Sequence, residues 1–100
     1  MRPDEITTWF SQPRDERVRN LSLVVEELAN GYYTRAQARA EQHRLRTRAY
    51  IASQESSVTA RDREAQAASL AITLQLHEID GEIAALEAAR DLLVLLIGLP

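Results

Sequence analysis

The chain has no cysteine. Disulfide stapling, thiolate metal sites and thiol nucleophiles are thereby excluded. It has no lysine either: all 12 basic residues are arginine, against 15 Asp and Glu, for a net charge of −3. Arginine codons are GC-rich, so the missing lysine reads as a mark of GC-rich coding rather than of selection for guanidinium chemistry. Three glycines and three prolines in 100 residues are too few for the turns of an all-β fold. Aromatics, at 5%, are thin for a broad globular core, whereas 45% hydrophobic residues are ample for helix seams. The apolar run Leu92–Ile97 is six residues long, far below the roughly 20 of a membrane-spanning helix. Residues 1–13 carry charges and two prolines but no apolar h-region, so no signal peptide is expected. The default expectation is a soluble cytoplasmic protein with no membrane contact.

What is present is helical periodicity. Ile72, Leu76, Ile79, Ile83, Leu86, Leu93 and Ile97 recur at alternating steps of four and three, broken only by Arg90, which is a heptad seam. On the opposite side of the same helix fall Leu70, Leu74, Gly81, Ala85, Ala88, Leu92, Leu95 and Leu99. A helix apolar on two faces needs cover on both, and a chain of this length supplies one obvious cover.

Residues 1–13 read as an N-terminal arm and 14–97 as a helical hairpin, with helix 14–52, turn 53–59 and helix 60–97. In the first helix Val18, Leu21, Val25, Leu28, Tyr32, Ala36, Ala40, His43, Thr47 and Tyr50 line one face at a 3.6-residue period. Asn30-Gly31 is a weak point that does not disturb the phase. Ser53–Ser57 is the polar gap, and Thr59-x-x-Asp62 resembles an N-cap with an acidic third position. Gly98 and Pro100 end the second helix. Folding about residues 55–56 sets residue i opposite 111 − i, so Tyr32 meets Ile79, Leu28 meets Ile83, Val25 meets Leu86 and Val18 meets Leu93. The expected fold is all-α, a long antiparallel two-helix hairpin of coiled-coil character that closes into a four-helix bundle by dimerisation. The stripe Leu70–Leu99 is the candidate oligomer interface, because soluble monomers seldom expose so long an apolar patch.

Other features carry competing readings. Arg35, Arg39, Arg46, Arg61 and Arg63 gather towards the turn, where seven arginines face only Glu41, Glu55 and Asp62. Clustered guanidinium groups bind phosphate, so this end is a candidate nucleic-acid contact; the plain alternative is a solvated face with arginine stems along the seam. Arg90, on the seam, either sets register, paired with Glu26 or Glu27, or reaches solvent at an edge. Trp9 and Phe10 are either a docking motif for a partner or a cover folded back onto Leu95, Leu96 and Leu99. Neither His43 nor His77 has a Glu three residues before it, so no metal is expected. No phosphate loop, G-x-S-x-G or carboxylate pair is present, so no catalytic residue, enzyme activity, cofactor or small-molecule ligand is expected.

Tyr32-Tyr33 before an Arg/Ala-rich stretch, Tyr50, Ser57-Val58-Thr59-x-Arg61 leading to Ala65, and the closing Ala-Leu-Glu-x-x-Arg-Asp-Leu-Leu carry a likeness over residues 28–97. They resemble small helical-hairpin proteins of tailed bacteriophages of actinobacterial hosts. Those proteins are often encoded among recombination and replication functions, with roles mostly unassigned. The Leu-Val-Leu-Leu-Ile ending departs from the pattern, where more arginine belongs, and favours assembly over DNA binding. The secreted WXG hairpins of mycobacteria have a similar length but carry Trp-x-Gly at the turn, where this chain has Ser-Gln-Glu-Ser-Ser. The functional expectation is a non-enzymatic scaffold that self-associates, with a dimer favoured, and contacts an unidentified protein partner in phage DNA metabolism or host takeover. A nucleic-acid-binding module using the arginine-rich turn end is the alternative.

Overall fold

A computed structural model describes residues 3–99, with side chains from residue 6 onward. The protein is an all-α helical hairpin built from α1 (Pro3–Trp9), α2 (Arg14–Ala52), α3 (Val58–Ala68) and α4 (Leu70–Ile97), with no strand among the described residues. It divides into two compact units. The end unit comprises Met1–Tyr32 and Gly81–Pro100, and the turn unit comprises Tyr33–Asp80.

α2 runs 39 residues, about 58 Å, without interruption. Asp15 and Glu16 occupy its first turn, where carboxylates favour the positive end of the helix dipole. Asn30-Gly31 does not weaken it, because Gly31 serves the packing. A Cβ built on Gly31 would stand 3.2 Å from Ile83 Cγ1, so the missing side chain lets α4 approach closely there. At Gly81 a Cβ would meet nothing within 4 Å. Gly81→Ala should therefore stabilise the isolated chain by about 0.5–1 kcal/mol through helix propensity. Gly31→Ala should lose that gain to displacement of Ile83. Thermal denaturation at high dilution ranks the two, and an equal gain at both sites would contradict the close approach at Gly31.

In the end unit Val24 and Leu28 of α2 are buried together with Ile83, Ala89, Leu93 and Leu96 of α4. Leu21 and Leu86 are half-buried. Of the face expected on α2, Leu21 and Leu28 do turn inward, but Val18, Val25 and Tyr32 are exposed. The inward positions follow a strict heptad, Leu21, Val24, Leu28 and Gly31, whereas the expected line followed the bulkier side chains. Ile83 lies against Gly31.

In the turn unit Ala38, Ala65, Ser69 and Leu76 are buried, and Leu45, Ala49, Ile72 and Ile79 half-buried. Ala36, Ala40, His43 and Thr47, expected inside, are exposed. Three polar contacts accompany these residues. Arg46 Nε donates to Ser69 Oγ at 2.9 Å, Gln42 Nε2 to Thr73 Oγ1 at 2.9 Å, and Arg35 pairs with Asp80 at 3.5 Å. Each pair obeys i opposite 115 − i, a shift of four residues from the alignment expected from the sequence.

The second arm differs from a single helix 60–97 in two ways. It begins earlier, at Val58, because Ser57 rather than Thr59 is the cap: its backbone is extended (φ −92°, ψ 143°) and its Oγ accepts from Ala60 N at 3.1 Å. It is also interrupted at Ser69, whose φ of −104° and ψ of 8° leave the helical region. There the Ser69 hydroxyl donates to Gln66 O at 3.1 Å, and Thr73 Oγ1 donates to Ser69 O at 2.8 Å. A serine that bonds its own backbone offers an alternative to the helical ladder, and this one takes it. α4 ends at Ile97 without a left-handed glycine, since no described glycine has positive φ. Pro100, expected to help stop it, lies outside the described residues. The Leu96 carbonyl accepts from Leu99 N at 3.3 Å and from Arg17 Nη1 at 2.9 Å.

Candidate functional site

The outer side of α4 is the most developed surface. In the end unit Gly81, Ala85, Ala88, Leu95 and Leu99 are exposed and Leu92 is half-buried. Leu95, at 68% exposure, is nearly naked. Their spacing, four, three, four, three, four, repeats the alternation of the buried seam. The side chains are uncharged throughout, small at one end and large at the other. In the turn unit Leu70 and Leu74, one helical turn apart, are likewise exposed. Every residue of the expected interface except Leu92 is thus exposed. Val94 is also exposed, but lies about 140° around the helix from this stripe.

The arginines divide into two groups. Arg35, Arg46 and Arg61 are engaged within the turn unit: Arg35 with Asp80, Arg46 with Ser69, and Arg61 through Nε to Glu55 O at 2.8 Å, with its guanidinium 5.7 Å from the Tyr50 ring centre. Such contacts fix the turn and the seam. Arg39 and Arg63 are exposed. Arg44 is bonded to Glu41, and that hydrogen bond, ahead of the charge itself, raises its pKa above the ordinary arginine value. Arg44 and Arg48, with His43, Thr47 and Ala52, border Ile51, which is 76% exposed. The spacing 44, 48, 51 is the helical signal that could have shown it.

Compared with known proteins, the chain matches no family, no curated protein and no solved structure. Its surfaces alone therefore carry the functional argument.

The aromatic pair of the arm is split. Trp9, a candidate docking residue by sequence, is only 6% exposed and belongs to the interior of the end unit; Phe10, at 59%, faces solvent. Docking through Trp9 is corrected by its burial, which removes a large apolar area from water. Of the leucines expected beneath the arm, Leu96 is buried, while Leu95 and Leu99 remain exposed. Arg17 holds the arm in place. Its Nε donates to Trp9 O at 2.9 Å and its Nη2 to Phe10 O at 2.8 Å, beside the Nη1 bond to Leu96 O. Nothing in the sequence pattern distinguished Arg17 from its neighbours.

Arg90 sits half-buried on the seam and bonds Asp91 Oδ1 at 3.1 Å, not Glu26 or Glu27. That hydrogen bond, with lesser contributions from the Asp91 charge and the Tyr32 hydroxyl, raises its pKa against the opposing effect of burial. Among the described residues no three His, Asp or Glu side chains gather as a metal site, and no helix is long and apolar enough to cross a membrane.

Proposed function

We propose that this chain is a non-enzymatic helical interaction protein that self-associates through the outer face of α4 and contacts a further protein. Its setting is the one the phage-protein resemblance implies, an accessory in phage DNA metabolism or host takeover. The observation that carries the reading is the heptad of uncharged residues from Gly81 to Leu99, exposed at every position but the half-buried Leu92. Exposing that area is unfavourable, and a facing helix removes it from water at about 25 cal/mol per Å². Leu74→Glu combined with Leu92→Glu puts charge on this face. Sedimentation or light scattering should show an oligomer for the wild type and a monomer for the double variant, with equal helical circular dichroism. A monodisperse wild-type monomer at micromolar concentration would sink the self-association part.

A second reading, nucleic-acid binding at the turn unit, is favoured by the exposed guanidinium groups of Arg39 and Arg63. Arg46 and Arg61 are poor choices for its test, since each also holds the fold. Arg39→Glu with Arg63→Glu should abolish any DNA affinity seen at low salt, and that affinity should fall steeply as salt rises. Wild-type protein that shows no affinity at low salt disposes of this reading.

A further inference from the structure

We infer that the outer side of α2 around Ile51, in the turn unit, docks an acidic peptide segment of a partner protein, one that carries a large apolar side chain between carboxylates. The inference rests on the reading that the chain contacts a further protein, and it names the surface and the chemistry of that contact. It does not depend on self-association.

Ile51 is 76% exposed, more than any other large apolar side chain among the described residues. Thr47 and His43 precede it by one and two helical turns, so the three form a row along α2. That row is a ridge with an open cleft on each side. Between α2 and α3, Tyr50, Asp62, Ala65 and Gln66 help to line a cleft of about 400 Å³. On the other side Arg44, Arg48 and Ala52 complete one of about 580 Å³. Clefts of this size accept large side chains of a visiting segment. Both lie wholly within the turn unit.

The charge along the ridge is in excess on one side. Three of the side chains lining the clefts are arginines, Arg44, Arg46 and Arg48, and one is a carboxylate, Asp62. The guanidinium of Arg61 lies 5.7 Å from the Tyr50 ring centre and adds a fourth positive charge. Glu41 offsets Arg44, to which it is bonded. Arg46 and Arg61 donate through Nε to neutral oxygens, Ser69 Oγ and Glu55 O, so these bonds brace the cleft without cancelling either charge. Arg48 is exposed and pairs with no carboxylate among the described residues. Four guanidinium groups against two carboxylates leave two positive charges around an aliphatic side chain.

An aliphatic centre flanked by guanidinium groups complements a segment that is apolar in the middle and acidic at its sides. An amphipathic helix laid into a groove has that form, with its anchors about one turn apart. Docking it removes Ile51 from water and gives Arg48 a carboxylate in a partly shielded setting. Nucleic acid fits the surface less well. A phosphate backbone places nothing against Ile51, and base stacking needs an aromatic face, whereas Arg61 already stands over the Tyr50 ring.

The full chain is panned against a library of random peptides displayed on phage, and the selected peptides are resynthesised with a fluorescent label. They should carry Asp or Glu on both sides of a large apolar residue, and their affinity should fall as salt rises. Ile51→Ala and Arg48→Glu should each weaken binding at least about tenfold, whereas Leu95→Ala, in the end unit, should not. Ile51 and Arg48 are exposed, so the helical circular dichroism of both variants should match the wild type. Arg48→Glu should in turn bind a selected peptide whose flanking carboxylate is replaced by lysine, which the wild type binds weakly.

A library that yields no binder, binders without carboxylates, or binders indifferent to both variants would each overturn the inference. Oligonucleotide binding that Arg48→Glu abolishes and Ile51→Ala leaves unchanged, with no peptide selected, would make the surface a nucleic-acid contact instead. An Ile51→Ala chain that sediments smaller than the wild type would give the ridge to a second copy and also overturn it. Wild-type protein that binds the peptides as a monomer would overturn self-association and leave this inference standing.

Discussion

Leu93→Ala should destabilise the protein by about 2–5 kcal/mol, the range for emptying a leucine-sized site in a packed core. Leu93 is 0% exposed and belongs to the same buried set as Ile83, Leu96 and Val24 in the end unit. Removing its side chain leaves walls that α2 cannot collapse onto without losing its own contacts. The loss is a large fraction of the roughly 5–15 kcal/mol that holds a small domain. Leu95→Ala, two residues along the same helix but on its exposed face, should change stability by no more than about 0.5 kcal/mol. Urea denaturation followed by helical circular dichroism, at dilution where self-association contributes nothing, reads both. Similar losses for the two leucines would mean that the inner and outer faces of α4 are wrongly assigned.

Arg17→Ala should release α1 from the end unit. One guanidinium makes three hydrogen bonds to backbone carbonyls, of Trp9, Phe10 and Leu96. Hydrogen bonds to a charged group contribute about 1.5–3 kcal/mol each when well shielded. These are part-buried or exposed, so a total loss of about 2–3 kcal/mol is the expectation after allowing for solvent screening. The chain has a single tryptophan, which makes the measurement specific: Trp9 emission should shift to longer wavelength in Arg17→Ala and stay unchanged in Arg19→Ala. Arg17→Lys should behave like the alanine variant, because an ammonium cannot span three carbonyls as the planar fork does. Unaltered emission from Arg17→Ala would show that apolar burial of Trp9 holds the arm without the guanidinium.

The inner seam of α4 was legible because isoleucine and leucine occupy nearly every position of its heptad. The inner face of α2 was not, for a physical reason. A helix paired along its length keeps a 3.5-residue repeat, and a 3.6-residue line drifts about 20° per heptad from it. On α2 the heptad positions include Gly31, Arg35, Ala38 and Gln42, which look unlike a core. Adjacent Val25 and Tyr32 are bulkier and drew the expected face a residue aside. The N-cap was uncertain among neighbouring hydroxyls, and Ser57, not Thr59, has the extended backbone a cap needs. The candidate interface was readable because exposure follows from the inner seam once that seam is known. The arginines were not, since whether a guanidinium holds a fold or faces solvent depends on partners brought in by tertiary structure. Arg46 with Ser69 and Arg17 with Leu96 are such partners, and both are distant in sequence.

The polar pairs of the turn unit have a consequence for how the hairpin forms. Seams of isoleucine and leucine are nearly indifferent to sliding by one heptad, about 10 Å. A hairpin misaligned in that way would still bury grease. It would also set Arg46 beside Leu76 and take from part-buried Arg46 and Gln42 the hydroxyl groups of Ser69 and Thr73 to which they now donate. Arg46–Ser69 and Gln42–Thr73 therefore proofread the zipper. An alignment one heptad away forfeits both bonds, so the one that sets Arg46 at Ser69 is favoured.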